Sequence, residues 1–133
     1  MQQDLITLIL ADAGVTAAVG ARVWWVRRPQ GQVSPLAILT MVSSIPAIDM
    51  GGEINWTDSR VQADCYATTY AAARSIAAAI SALLGGHSGQ TGDTEFQGVF
   101  RISERDLFEA GETEADRLYR VMLEFRVIWR DAS

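Results

Sequence analysis

Residues able to do chemistry are few in this chain and lie far apart. Hydrolytic catalysis requires a nucleophile, a base and a group that orients the base, but the sequence has one histidine, His87, and one cysteine, Cys65. His87 stands in a polar stretch, HSGQTG, which favours a solvated loop histidine over a catalytic base. Cys65 lies in a run of alternating small residues, where a thiol is usually an inert core filler. We therefore predict no catalytic residue.

Metal and phosphate sites find as little support. A zinc site needs three or four histidine, cysteine or carboxylate ligands, and two soft candidates cannot supply them. The glycine pairs at 51–52 and 85–86 lack the lysine and the serine or threonine of a phosphate-binding loop, so we interpret them as turns. We predict no metal site, no cofactor-binding residue and no cofactor.

Glu104 and Asp106 are a pair of carboxylates with a spacing that could suit ligation. On a strand, the i, i+2 spacing places both on one face, where such pairs can hold Mg²⁺ or do acid–base work. Arg101 and Arg105 are interleaved with them. A solvated, charge-balanced surface is therefore the favoured interpretation.

Composition limits the class of partner. The chain has 133 residues, which predicts one domain over residues 1–133. Its formal net charge is −5, and all 11 positive charges are arginine. An acidic, lysine-free chain is a poor candidate for binding nucleic acid over its whole surface, although local arginine contacts stay open. No stretch approaches the ~20 apolar residues that span a bilayer, so we expect no membrane partner.

The hydrophobic pattern predicts an α+β fold. An amino-terminal helix over residues 4–13 is expected to end at Gly14, and a short turn follows to Gly20. The strand at 36–43 is apolar enough to be buried on both faces. The order α, β, β, β, α, β, β predicts a long α-helix packed across an antiparallel or mixed sheet. Strands are predicted at 22–27, 36–43, 60–67, 96–107 and 118–130, and 44–59 is predicted to be a long irregular loop.

The long helix raises the question of what it packs against. Residues 60–67 alternate like a strand with small side chains on one face, and Thr68 or Thr69 is expected to cap a helix that ends at Gly85. The small strand residues permit close approach, so this helix is predicted to lie across the sheet. Its other side is rich in alanine, with Arg74 among few polar residues. Such a side suits plain solvent exposure or contact with another subunit.

Tryptophan and arginine supply candidates for a protein-contact surface. Trp24 and Trp25 are adjacent, so on a strand one of them faces outward, and Trp56 falls in the predicted long loop. Exposed tryptophan beside arginine is typical of interfaces, but core packing with one edge tryptophan explains the pair equally well. The candidate interface residues are Trp24, Trp25, Arg27, Arg28, Ile48, Met50, Trp56 and Arg74.

Four segments together resemble a known family. They are ADAGVTAAVGARVW, SPLAILTMVS, VQADCYATTYAAARSIAAAISALL and ERDLFEAGETEADRLYRVMLEFRVIWR. Their order and spacing over nearly the whole chain resemble the small tail-completion, or tail-terminator, proteins of long-tailed bacteriophages and gene-transfer particles. The strand–helix unit and the carboxyl-terminal hairpin are the most specific parts, and no single motif is diagnostic.

The resemblance implies a structural virion protein of the α+β class, with no enzymatic activity and no cofactor. It implies a ring, typically a hexamer, that sits on the last ring of tail-tube protein, ends tube polymerisation and provides the head-joining surface. The implied partners are further copies of the chain, the tail-tube protein and head–tail connector or neck proteins. DNA would pass through the ring without specific binding. The implied location is the virion tail or neck, assembled in the cytoplasm of the bacterial host.

Two other functions stay open at this point. The chain could be another neck or head–tail connector protein, or a relative of the tail-tube protein. It could also be a small enzyme or ligand-binding domain with an unrecognised site. Ring formation would separate the structural functions from the enzyme, and tube length would separate a terminator from a connector.

Overall fold

The computed structural model describes residues 1–26, 35–49, 52–109 and 118–131. Within them, six strands form one sheet in the order β1-β2-β3-β6-β5-β4, accompanied by three helices. β1 pairs with β2 in parallel, and the other neighbours pair antiparallel, which confirms the α+β class with a mixed sheet. The elements are α1 Gln2–Leu10, α2 Ala13–Val19, β1 Val23–Trp25, β2 Leu36–Asp49, β3 Gly52–Ala67, α3 Tyr70–Leu84, β4 Gly89–Thr91, β5 Thr94–Glu109 and β6 Leu118–Asp131.

The core lies between the three helices and one face of the sheet. The alternation predicted for the last strand is confirmed, because every second residue of β6 from Val121 to Val127 is buried. Their partners on β3 include Cys65, Ala63 and Val61, which are also buried. The buried residues of all three helices join these strand residues in one cluster. The opposite face of the sheet, here called the uncovered face, therefore has no helix from the described residues on it.

The long helix α3 is bounded by the caps that the sequence indicates. The Thr69 side chain accepts a hydrogen bond from the Ala72 amide at 3.2 Å, and the Gly85 amide donates to the Ser81 carbonyl at 2.9 Å. The buried stripe combines small and large side chains facing β3 and β6. Burying each isoleucine of that stripe contributes about 1.5–3 kcal/mol. The stripe consists of Ala73, Ile76, Ala77, Ile80 and Leu84.

The amino-terminal helices are tied to the sheet and to each other. Gly14, predicted to end the first helix, lies inside α2 instead, because the Asp12 side chain accepts from the Val15 amide at 3.0 Å and starts a new helix. Thr94 Oγ1 donates to the Asp4 carboxylate at 2.6 Å, which fastens α1 to the start of β5. Gly92 permits this approach, since it has φ of +57° and a side chain there would collide with Asp4.

The predicted loop over residues 44–59 is wrong: this part of the chain is a β-hairpin. β2 and β3 pair from Leu36 opposite Tyr66 as far as Asp49 opposite Gly52. Two register shifts interrupt the pairing, one beyond Met41 and one beyond Pro46. A proline is tolerated there because β1 covers β2 only at its beginning, so Pro46 lies on an edge strand. Bulges, proline and polar residues together hid the strand pattern.

Two smaller expectations are also wrong. β2 is not buried on both faces, because Ala37 and Leu39 face the core while Ile38 and Thr40 stay partly exposed on the uncovered face. The polar stretch 87–92, expected to be a plain loop, contains β4, which pairs with the first residues of β5. A three-residue strand leaves no periodic signal in a sequence.

Replacing the α3 cap should destabilise the protein measurably. We expect Thr69→Ala to lower the free energy of unfolding by about 1 kcal/mol, since it leaves an amide of the first helical turn without its acceptor. Thr68→Ala is the matched control, because Thr68 is exposed and lies one residue before the cap, and its effect should stay within about 0.5 kcal/mol. Urea denaturation of both variants measures this, and equal losses would contradict the assigned cap.

Candidate functional site

The uncovered face of the sheet carries arginines paired with carboxylates across strands. Arg126 on β6 faces Asp58 on β3 with a forked contact, in which Nη2 donates at 2.8 Å and Nε lies 3.0 and 3.1 Å from the two carboxylate oxygens. Arg60 lies 3.7 Å from Glu124 in the same ladder. The arginines are about half exposed and the carboxylates partly exposed, so each pair contributes little to stability. The ladder makes this face polar and nearly balanced in charge.

One pair of the ladder is buried. Asp64 is 5% exposed, and Arg120 approaches one of its oxygens with Nε and Nη2, each at 3.0 Å. Gln62 donates to the other oxygen at 2.9 Å. A buried carboxylate is tolerated when its oxygens are bonded in this way, and loss of the arginine would leave the charge without its counterion. This pair fixes the central strands β3 and β6 in register.

Trp56, expected in a loop, lies on β3 at the end of the uncovered face. It is partly buried, and the Arg130 guanidinium carbon lies 4.4 Å from the centre of its ring. Arg130 also donates to Glu95 at 2.9 Å. A cleft of about 560 Å³ lies beside the indole. Its lining includes Trp56, Ser88, Gln90, Glu95 and Gln97.

A polar seam joins α3 to β5. As predicted, Glu104 and Asp106 lie on one face, and both meet α3: Arg74 contacts Glu104 and lies 3.7 Å from Asp106. The Tyr70 hydroxyl donates to Asp106 at 2.7 Å. The hydrogen bond to Asp106 raises the pKa of Tyr70, and the bond to Glu104 raises the pKa of Arg74. The carboxylate pair is thus occupied by a cation and a phenol of the same chain.

Below this seam, an open cleft of about 630 Å³ separates α3 from β5. Arg101 crosses it and donates to the Ser81 hydroxyl at 3.0 Å. Ala78 and Ala82, on the exposed flank of α3, form one wall, and Phe100 belongs to the other. This cleft has small apolar walls and charged groups at one end, which suits a peptide segment better than a small molecule.

The side chains of Cys65 and His87 are not arranged for catalysis. Cys65 is buried, and burial, followed by the negative charge of Asp64, raises the pKa of its thiol well above the usual range. His87, predicted to be solvated, is only partly so. Its Nε2 is buried, and its ring packs edge-on against Phe96 with centroids 5.8 Å apart. The backbone of His87 explains this position, because its carbonyl accepts from the Val99 amide at 3.0 Å.

The adjacent tryptophans occupy β1 at the edge of the sheet, and both are partly buried. The Trp25 indole donates to the Gln2 carbonyl at 2.9 Å and packs against the core, so it anchors α1. Trp24 pairs with Ile38 and lies on the uncovered face. Ile48 is paired with Glu53 near the end of the β2–β3 hairpin. Arg27, Arg28 and Met50, together with the Ile48 side chain, lie outside the described part of the chain.

The cross-strand arginine ladder was missed by sequence reasoning. A signal for it existed: β6 alternates apolar residues with Arg120, Glu124, Arg126 and Arg130. Their partners could not be assigned, because pairing residues are separated by about sixty positions along the chain. Within residues 1–26, 35–49, 52–109 and 118–131, no group of three metal-ligating side chains and no helix long and apolar enough to cross a membrane is present.

Comparisons with known proteins give one family and one fold. The family model described as "Tail completion protein gp17" matches residues 3–130. No curated protein matches the chain. A solved structure titled "Virion of native gene transfer agent (GTA) particle" contains a chain with the same fold, at a TM-score of 0.69 and 22% identity, covering 98% of this chain and 94% of that one.

The phenol of Tyr70 reports on the α3–β5 seam. We expect it to titrate above the usual tyrosine pKa of ~10, and Asp106→Asn should lower its pKa, because the charged acceptor that favours the protonated phenol is lost. A raised pKa in the folded state stabilises the fold below pH ~10, and this contribution is lost as the pH rises through the folded-state pKa. Ultraviolet titration, assigned with Tyr70→Phe, measures the shift. Asp93→Asn is the control, and an equal shift there would contradict the assignment.

Proposed function

Because this chain belongs to the family described as Tail completion protein gp17, we propose that it caps the tail tube as a ring of identical subunits, six in the usual form of the terminators it resembles. A structural role in the phage virion tail follows from the family. The ring ends polymerisation of the tube and presents a surface to which the filled head is joined. Its partners are further copies of itself, the tail-tube protein and head–tail connector proteins.

The family match over residues 3–130 carries this proposal. It covers the helices and nearly all of the sheet, so the tail role concerns the fold as a whole. A ring of identical subunits also requires two unlike contact surfaces on each subunit. The sheet offers them, since one margin is the short parallel strand β1, and the other is β4 followed by the part of β5 that β4 does not cover, with the cleft beside α3.

The state of the reactive groups supports a non-enzymatic role. Cys65 is buried as a thiol, and the Glu104–Asp106 pair is engaged by Arg74 and Tyr70. The ladder on the uncovered face also suits a neighbour to a DNA passage, because each described arginine of the ladder already has a carboxylate partner. Such a face offers few free cations to a passing phosphate backbone, so DNA moves past without being held.

The shared fold with a chain of a gene transfer agent virion supports assembly beside other tail proteins. In the proposed arrangement, the protein assembles in the bacterial host cytoplasm and becomes part of the tail or neck. Trp56 and Ile48 belong to the paired strands β2 and β3, whose far ends extend beyond the last pairing of β3 with β6, so we assign this end of the sheet to contact with a neighbouring virion protein. Met50 remains a predicted interface residue. Arg27 and Arg28 remain predicted interface residues.

Tube length tests the proposed function. Purified tail-tube protein should polymerise into shorter tubes when this protein is added, and electron micrographs should show a ring at one end of each tube. A phage that lacks the protein should make overlong tubes, because nothing ends their growth. Tubes of normal length on headless particles would instead identify a head-side connector, and turnover of a small molecule by the isolated chain would identify an enzyme.

Trp56→Ala should impair assembly more than folding. The indole is only partly buried and contacts Arg130, so its removal should cost no more than about 1–2 kcal/mol of stability. Tyr66→Ala is the matched control. Tyr66 lies on the same strand and face, and its ring contacts Arg120, but it is at the opposite end of β3 from the β2–β3 hairpin. Tube capping and the melting temperature are measured for both. A sharp fall in melting temperature with normal capping by the folded fraction would refute the assignment.

A further inference from the structure

The exposed large hydrophobic side chains of the described residues lie along the two margins of the sheet. The β1 margin consists of β1, the following Val26 and the part of β2 that β1 does not pair with. The β5 margin consists of β5 from Phe100 onward and the adjoining flank of α3. Val26 is 72% exposed and Phe100 is 50% exposed. Apolar groups concentrated in this way mark contact surfaces. The β1 margin has Val26, Val42 and Ile45, and the β5 margin has Tyr70, Phe100 and Ile102.

Both margins present strand edges that have no partner among the described residues. β1 is the last strand at its side of the sheet. On the other side, β4 pairs with β5 only between Thr94 and Phe96, and the backbone of His87 and Gly86 bonds to Val99. From Phe100 onward, no described strand lies against the outer edge of β5. An unpaired edge is a template for pairing with a further strand.

The edge of β1 and the open part of the β5 edge lie in the same register across the sheet. Following paired residues across the strands leads from Val23 through Ala37, Cys65 and Val121 to Asp106. β1 and β5 also run antiparallel, because one parallel and three antiparallel pairings separate them. A second copy placed beside the first therefore meets it with a matching edge, in the favourable antiparallel sense and without a shift along the strands.

We propose that β1 of one subunit adds to the open edge of β5 in the next, so that the sheet continues from subunit to subunit around the ring. This inference rests on the proposed ring and identifies its subunit contact. The incoming strand lies beside the cleft between α3 and β5, where Ala78 and Ala82 leave room for it. The contact is heterologous, and in a closed ring the outer edge of every β1 is paired with the part of β5 around Arg105.

In this arrangement Trp24 of one subunit lies opposite Arg105 of the next, on the uncovered face. Directly opposed residues of antiparallel strands have Cα atoms about 4.5–5.5 Å apart, within the range that a disulfide bridges. Trp24→Cys and Arg105→Cys can therefore be cross-linked. The native Cys65 does not compete, because it is buried and its thiol pKa is raised.

Full-length Trp24→Cys and Arg105→Cys proteins are mixed and oxidised with copper–phenanthroline, and the products are separated on non-reducing gels. We expect disulfide-linked dimers in the mixture and none in either variant alone, because the contact joins unlike margins. Gln97→Cys replaces Arg105→Cys in the control mixture, since Gln97 is exposed on the covered half of β5. The control should give about tenfold less dimer, because the two thiols lie beyond bonding distance.

Cross-linking of a single variant with itself would overturn the proposal, as would rings that form without cross-links in the mixture; the ring function would then stand with a different contact. If the mixture instead gives open, cross-linked chains of subunits and the tubes stay uncapped, the proposed ring function is contradicted, while the proposed contact between β1 and β5 is retained. If Trp24→Cys fails to fold, a double variant with Phe100→Asp and Ile102→Asp tests the contact instead, because it places two charges on the exposed residues of the open β5 edge. We expect loss of rings with an unchanged melting temperature, and intact rings would refute the contact.

Discussion

The close packing of α3 on the centre of the sheet positions most of the molecule. Ala73 and Ala77 of the helix belong to the same buried cluster as Ala63 and Cys65 of β3. A larger side chain at any of these positions would push the helix away and open voids beneath its isoleucines. The end of the helix is continuous with Gly86, whose amide donates to Val99 of β5 at 2.8 Å. The position of α3 therefore also sets the position of β5 and of the cleft between them.

Because the helices cover only one face of the sheet, the side chains on the other face must be polar or paired with one another. Here the uncovered face is occupied by arginine–carboxylate pairs between neighbouring strands. Arginine suits this purpose better than lysine, because its planar fork matches a carboxylate and its flat surface stacks on aromatic rings such as Trp56. The result is a broad face that is polar without carrying a strong net charge. A surface of this kind tolerates water or a charged polymer nearby.

The sequence allowed the class of the fold to be predicted, but the edges of the sheet were not predictable. β6 and α3 were recognised because their patterns are periodic and, for α3, because a threonine and a glycine mark its ends. The hairpin was missed because its partners are set by tertiary pairing and its bulges break the alternation. Of the candidate contact residues, Trp25 is partly directed inward, since the Gln2 carbonyl accepts its indole proton. A hydrogen bond between residues 23 positions apart cannot be predicted from the hydrophobic pattern of the sequence.

The hydrogen bond between Asp4 and Thr94 has a consequence for the order of folding. It joins residues 90 positions apart, and the central pairing of β3 with β6 also spans about sixty residues along the chain. Chains dominated by such distant pairings fold more slowly than helical proteins of similar size, because the loops must close before their contacts form. During synthesis, α1 leaves the ribosome long before the strand that fastens it. Newly made chains therefore spend time with an undocked amino terminus until β5 has been synthesised.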